Sequence, residues 1–138
     1  MLTMTIALAL AAPQCTALDT RLPPRLKGWT RTGTTLDTGR SVLIPRSGAT
    51  LATRVTIRRP GLFGIAIDQP GWIDVAPERG RALKMAGEAR GPACSTIRKI
   101  VRYKLAPGAY RVSVSRLRAD RARLMLVHYG PDSPRENR

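Results

Sequence analysis

The chain has 138 residues, 43% of them apolar and 24% charged, which fits one globular domain able to bury a core without metals and excludes wholesale disorder. Twenty-four Lys and Arg, twenty of them Arg, stand against nine Asp and Glu, a formal net charge of +15. Such an excess calls for counter-ions or an anionic partner, and two cysteines with one histidine are too few soft ligands for a structural zinc site.

The first residues, MLTMTIALALAAPQC, carry no charged side chain. Leu2 to Ala12 is a run of small and aliphatic residues with two small-x-small cleavage patterns, too short for a bilayer-spanning helix of about 20 residues. Residues 1–12 therefore read as a secretory signal peptide, although no Lys or Arg opens it; the competing reading is a buried first element of a cytosolic domain. Pro13-Gln14 ahead of Cys15 replaces the small residues of a lipidation signal. Export implies a periplasmic or secreted protein, and there the even cysteine count reads as one disulfide, Cys15 to Cys94. Two separate buried thiols are the alternative.

Residues 13–40 read as an extended N-terminal segment, because Leu22-Pro23-Pro24-Arg25-Leu26 disfavours helix; Trp29 would anchor it to the domain. From there apolar residues recur with period two in short runs separated by Gly and Pro. The runs predict eight strands: Ser41 to Ile44, Leu51 to Arg58, Leu62 to Asp68, Trp72 to Val75, Arg81 to Ala86, Lys99 to Leu105, Ala109 to Ser115 and Arg123 to His128. Pro60-Gly61, Gln69-Pro70-Gly71, Pro77-Glu78-Arg79-Gly80 and Ala106-Pro107-Gly108 supply turns. The pattern predicts an all-β, two-sheet antiparallel sandwich of jelly-roll type over 41–129, followed by a flexible tail at 130–138.

The segment from Lys99 to Ser115 reads as a hairpin. Pairing Leu105 with Tyr110 puts Val101, Tyr103, Leu105, Tyr110, Val112 and Val114 on one face and makes Lys104 the cross-strand neighbour of Arg111. Like charges there repel unless an anion lies between them. Arg54 and Arg58 give a second strand the same basic edge, so Arg54, Arg58, Arg102, Lys104 and Arg111 are the anion-binding candidates.

Gly61 to Val75 (GLFGIAIDQPGWIDV), Gly91 to Leu105 (GPACSTIRKIVRYKL) and Leu105 to Ser115 resemble a group of small secreted bacterial proteins of unknown role. They are similar, more loosely, to pre-peptidase C-terminal type β-sandwiches through the P-G-x-Y-x-V-x-V strand. Members of that group sometimes carry the label homogentisate 1,2-dioxygenase. The chemistry does not support it here, since a non-haem iron dioxygenase needs two histidines with a carboxylate and this chain has His128 alone. The resemblance implies a secreted β-sandwich and names no activity for it.

No nucleophile elbow, Walker or dinucleotide glycine pattern occurs, and His128 ends an apolar run as a strand-end surface histidine would. Asp68, Asp74 and Glu78 are the best carboxylate constellation, within which Asp68 and Asp74 could converge for glycoside hydrolysis or calcium binding. Equally, Asp68 can serve its turn and Asp74 can pair with an arginine. Strand parity puts Trp72 on the face of Asp74, away from Ile73 and Val75; it is either a stacking platform beside a polar pocket or a core residue. The sequence thus predicts a non-enzymatic envelope protein that binds an anionic envelope component or acidic glycan, with no cofactor and no transmembrane segment. A small carbohydrate-active or metal-dependent enzyme using Asp68 and Asp74 is the second reading. The third, a cytosolic nucleic-acid binder, fits export poorly and has only 4% aromatic residues for base stacking.

Overall fold

The computed structural model describes residues 14–131, so the predicted leader and most of the predicted tail lie outside the described residues. Among these, a 3-10 helix over Pro24–Thr30 is followed by nine strands: β1 Thr32–Gly33, β2 Ser41–Pro45, β3 Leu51–Ile57, β4 Gly61–Ile67, β5 Trp72–Pro77, β6 Gly87–Arg90, β7 Lys99–Leu105, β8 Gly108–Ser115 and β9 Arg121–Gly130. A large sheet has the order β1-β2-β9-β4-β7-β6 and a small sheet the order β3-β8-β5. β2 with β9, β3 with β8 and β4 with β7 pair antiparallel, each pair nested inside the last along the chain. That nesting is the jelly-roll wrapping, one long hairpin folded over so that successive pairs alternate between two sheets. The fourth nested pair, β5 with β6, does not form: β6 adds to the edge of β7, and β5 pairs antiparallel with β8 instead.

Alternation builds the core. Val55 and Ile57 from β3, Ile65 and Ile67 from β4, Val75 from β5, Val101 and Tyr103 from β7, Val112 and Val114 from β8 and Leu124 from β9 meet between the sheets, each buried aliphatic contributing about 1.5–3 kcal/mol. β4 and β9 are apolar on both faces because the large sheet is covered on both. On its outer side Ala66, Ile100, Met125 and Val127 form a second core with Ile97 and with Leu26 and Trp29 of the 3-10 helix.

Three expectations need correction. The segment predicted as extended contains the 3-10 helix: Pro23 and Pro24 sit at its start, where the missing N–H costs nothing and the fixed φ suits the turn. Arg81 to Ala86 forms no strand, because its backbone is shared between two sheets: Leu83 N–H donates to Val75 O of β5 and Ala86 N–H to Arg102 O of β7. The predicted hairpin is an arch, β7 lying in the large sheet and β8 in the small one. Its six inward residues are all buried as expected. Parity fixes the face a side chain takes, and a sandwich core accepts those faces whether the connection turns within a sheet or crosses between sheets. Gly108, at φ +148°, makes the crossing, and Tyr110 Oη donates back to Ala106 O at 2.7 Å, the arrangement of a tyrosine corner.

Candidate functional site

β8 is the middle strand of the small sheet, and its register aligns the outward side chains in rows. Arg54, Arg111 and Ala76 form one row, Ala52, Ser113 and Asp74 the next, and Ser115 with Trp72 the third. Short side chains in the middle row, between longer ones, leave a groove of about 540 Å³ over Ala52, Ser113 and Ala76, bounded by Arg54, Arg111 and Asp74. Sequence spacing brings none of these together; the β3-β8 and β8-β5 ladders do.

Arg54 and Arg111 are direct cross-strand partners, a like-charge arrangement that costs up to about 1 kcal/mol unless relieved. The turn after β5 relieves it. Glu78 brings a carboxylate oxygen 2.9 Å from Arg54 Nη1, and Gly80 O accepts from Arg111 Nη2 at 3.1 Å. The side chains of the Arg54–Glu78 pair are 74% and 43% exposed, so the pair is worth about 0–1 kcal/mol and can yield to a competing anion. The repulsion expected between Lys104 and Arg111 is thus found between Arg54 and Arg111, with a carboxylate of the chain already beside them.

At the far end of this face Trp72 is 53% exposed, and its Nε1–H donates to Asp74 Oδ1 at 3.2 Å. The Arg116 guanidinium lies 6.0 Å from the ring centroid. Arg116 has φ +58°, a left-handed conformation that a non-glycine residue adopts only when its surroundings hold it there. On the inner side Tyr103 Oη donates to Ile73 O at 3.0 Å, and burial, with Asp74 and Glu88 adding negative potential, pushes its phenol up to about 12.

The anion-binding candidates are divided between the two sheets. Arg54 and Arg111 share the outer face of the small sheet, whereas Arg102 and Lys104 belong to β7 of the large sheet. The Arg102 guanidinium lies 5.8 Å from the Tyr129 ring centroid, and its buried Nε has no hydrogen-bond partner among the described residues. Arg25 approaches the same ring at 4.7 Å, and burial raises the Tyr129 phenol above its ordinary value against the pull of both cations. Arg58, just past β3, lines a second cleft of about 680 Å³ with Arg59, Asp37, Phe63 and His128. His128 is exposed, its ring centroid 4.9 Å from that of Phe63.

Asp68 and Asp74 are engaged in different sheets. Asp68 Oδ1 accepts from Arg123 N–H at 3.1 Å, while its own N–H donates to Arg123 O, continuing the β4-β9 ladder by one step. Gln69 beside it accepts from the N–H groups of Arg118 and Ala119 and donates to Arg121 O, tying down the loop before β9. Cys15 and Cys94 form a disulfide across a separation of 79 residues. Asp19 reinforces it, its carboxylate accepting from Thr96 N–H and Oγ1–H at 2.8 and 2.6 Å and its N–H donating to Cys94 O. Thr96 Oγ1 in turn accepts from the Trp29 indole at 2.8 Å. In this loop Gly91 is obligatory, because a Cβ there would overlap Ile97 O.

The sequence groups Glu78 with Asp68 and Asp74, whereas the fold sets it against Arg54; Gly80, Ser113 and the Asp19–Thr96 clip are absent from the sequence-level site. Among the described residues no helix is long and apolar enough to cross a membrane, and no three His, Cys, Asp or Glu group to hold a metal ion. Compared with known proteins, the chain matches no family model, no curated protein and no solved structure.

Proposed function

We propose that the protein binds an anionic ligand, without transforming it, at the outer face of the small sheet, and that it does so at the cell envelope. The observation that carries this reading is the Arg54–Arg111 cross-strand pair, both arginines lining an open groove with small residues between them and Asp74. Each guanidinium fork matches a carboxylate or phosphate bidentately, and the +15 net charge draws anions toward the surface at long range. The Cys15–Cys94 disulfide favours an oxidising compartment, and with it envelope polyanions over nucleic acid. The apolar run at 2–12 supports the same compartment.

Titration of the full chain with polyphosphate at increasing salt tests the reading. Affinity is expected to fall steeply as salt screens the guanidinium groups, and the double variant Arg54→Ser/Arg111→Ser to bind about tenfold or more weakly. Salt-independent binding, or a double variant that binds like the native chain, contradicts it.

A further inference from the structure

Resting on that reading, we infer that the ligand is an acidic oligosaccharide, one sugar ring lying against Trp72 and an acidic group of the same chain reaching Arg54 and Arg111. Four large hydrophobic residues are exposed among those described: Leu18, Leu43, Trp72 and Met85. Trp72 differs. Its N–H is held by Asp74, which fixes the ring plane in advance and lowers the ordering cost of a stacked partner.

The groove between the two ends offers Asp74 as an acceptor, Ser113 as donor and acceptor, and the guanidinium groups as donors. Sugar hydroxyls, which both give and accept hydrogen bonds, suit that mixture. A bare phosphate polymer gives Trp72 no ring to stack on, an acyl chain leaves the hydrogen-bonding groups of Arg54, Arg111 and Asp74 unmatched, and single-stranded nucleic acid calls for successive aromatic platforms where this face has one. Distance sets the length. From the Trp72–Ser115 row to the Arg111 row is four residues along β8, about 14 Å at strand rise, more than one sugar ring covers.

The test uses the full chain, calorimetry, and four probes: oligogalacturonate, phosphorylated dextran, neutral dextran and polyphosphate. At least one of the two acidic saccharides is expected to bind, the one that does identifying the acidic group, and Trp72→Ala to weaken it about tenfold, as loss of one stacked ring does. Polyphosphate binding is expected to be unchanged in Trp72→Ala and about tenfold or more weaker in Arg54→Ser/Arg111→Ser. Trp72→Phe, which keeps a ring, should restore most of the saccharide affinity. If Trp72→Ala leaves both acidic saccharides unaffected, or weakens polyphosphate to the same degree, the saccharide inference falls while anion binding stands. If neutral dextran binds as tightly as its acidic counterparts and the arginine variant changes nothing, the anionic reading falls. If no probe binds, both fall.

Discussion

The two outer faces of this sandwich begin from the same alternating pattern and end differently. On the large sheet the outward residues Ala66, Ile100, Met125 and Val127 are apolar, and the N-terminal segment folds over them with Trp29 at 1% exposure. On the small sheet the outward residues are Ala52, Arg54, Asp74, Arg111 and Ser113, and Trp72 stands exposed at its edge. One tryptophan closes a face and the other borders an open one. The indole N–H of Trp29 goes to Thr96, inside the clip made by Asp19 and the disulfide; that of Trp72 goes to Asp74, at the margin of the groove. A covered face is where stability resides, and an uncovered polar face is where a ligand can be recognised. Substitutions should therefore separate the two.

The largest effect is expected from the cover. Removing the disulfide with Cys15→Ser/Cys94→Ser releases a loop closed over 79 residues, worth about 4–5 kcal/mol on the chain-entropy model, and should shift the urea midpoint strongly downward. Trp29→Ala should cost about 3–5 kcal/mol by leaving a cavity between the helix and the sheet, whereas Trp72→Ala should stay within about 0.5 kcal/mol in the same unfolding experiment. Equal costs for the two tryptophans would erase the distinction between the faces.

Next comes a pH effect from the layer between the faces. The Tyr103 phenol is held at about 12 in the folded chain against about 10 unfolded, so its contribution is complete below pH 10 and is lost as pH rises through 12. Allowing for solvent relaxation around the phenolate, the loss is about 1–2 kcal/mol. Urea unfolding at pH 8, 10 and 11.5 should show a larger loss in the native chain than in Tyr103→Phe, where the raised Tyr129 phenol still contributes. A smaller effect sharpens the groove itself. Glu78→Gln removes the carboxylate beside Arg54, and should leave stability within about 1 kcal/mol while raising affinity for polyphosphate severalfold. A weaker-binding Glu78→Gln would mean that the Glu78 carboxylate organises the pair rather than competing for it.

Much of this architecture was legible in the residues. The inward faces of β7 and β8, the disulfide and the jelly-roll class follow from period-two alternation, an even cysteine count and turn spacing, all local signals. Neighbour relations were not legible. Val101 and Val112 point into the core whichever strands flank them, so parity could not say that β7 and β8 part at Gly108, and Lys104 was matched with Arg111 where Arg54 belongs. For the same reason parity could not say whether the basic edges of separate strands adjoin, and they fold onto two sheets. Parity did separate Trp72 from Ile73 and Val75 and placed it with Asp74. It could not show that Glu78 and Gly80, in a turn, reach back to Arg54 and Arg111, because that contact depends on where a loop lies across a sheet.

The division between faces is tested most directly by the salt dependence of polyphosphate binding in three chains: native, Arg54→Ser/Arg111→Ser, and Arg102→Ser/Lys104→Ser. Each cation that meets a phosphate releases about one counter-ion, so the slope of log affinity against log salt should fall by about two in the small-sheet variant and hold its native value in the large-sheet variant. A slope that falls only in the large-sheet variant, or equally in both, would place the anion on the covered face and contradict the assignment of the groove.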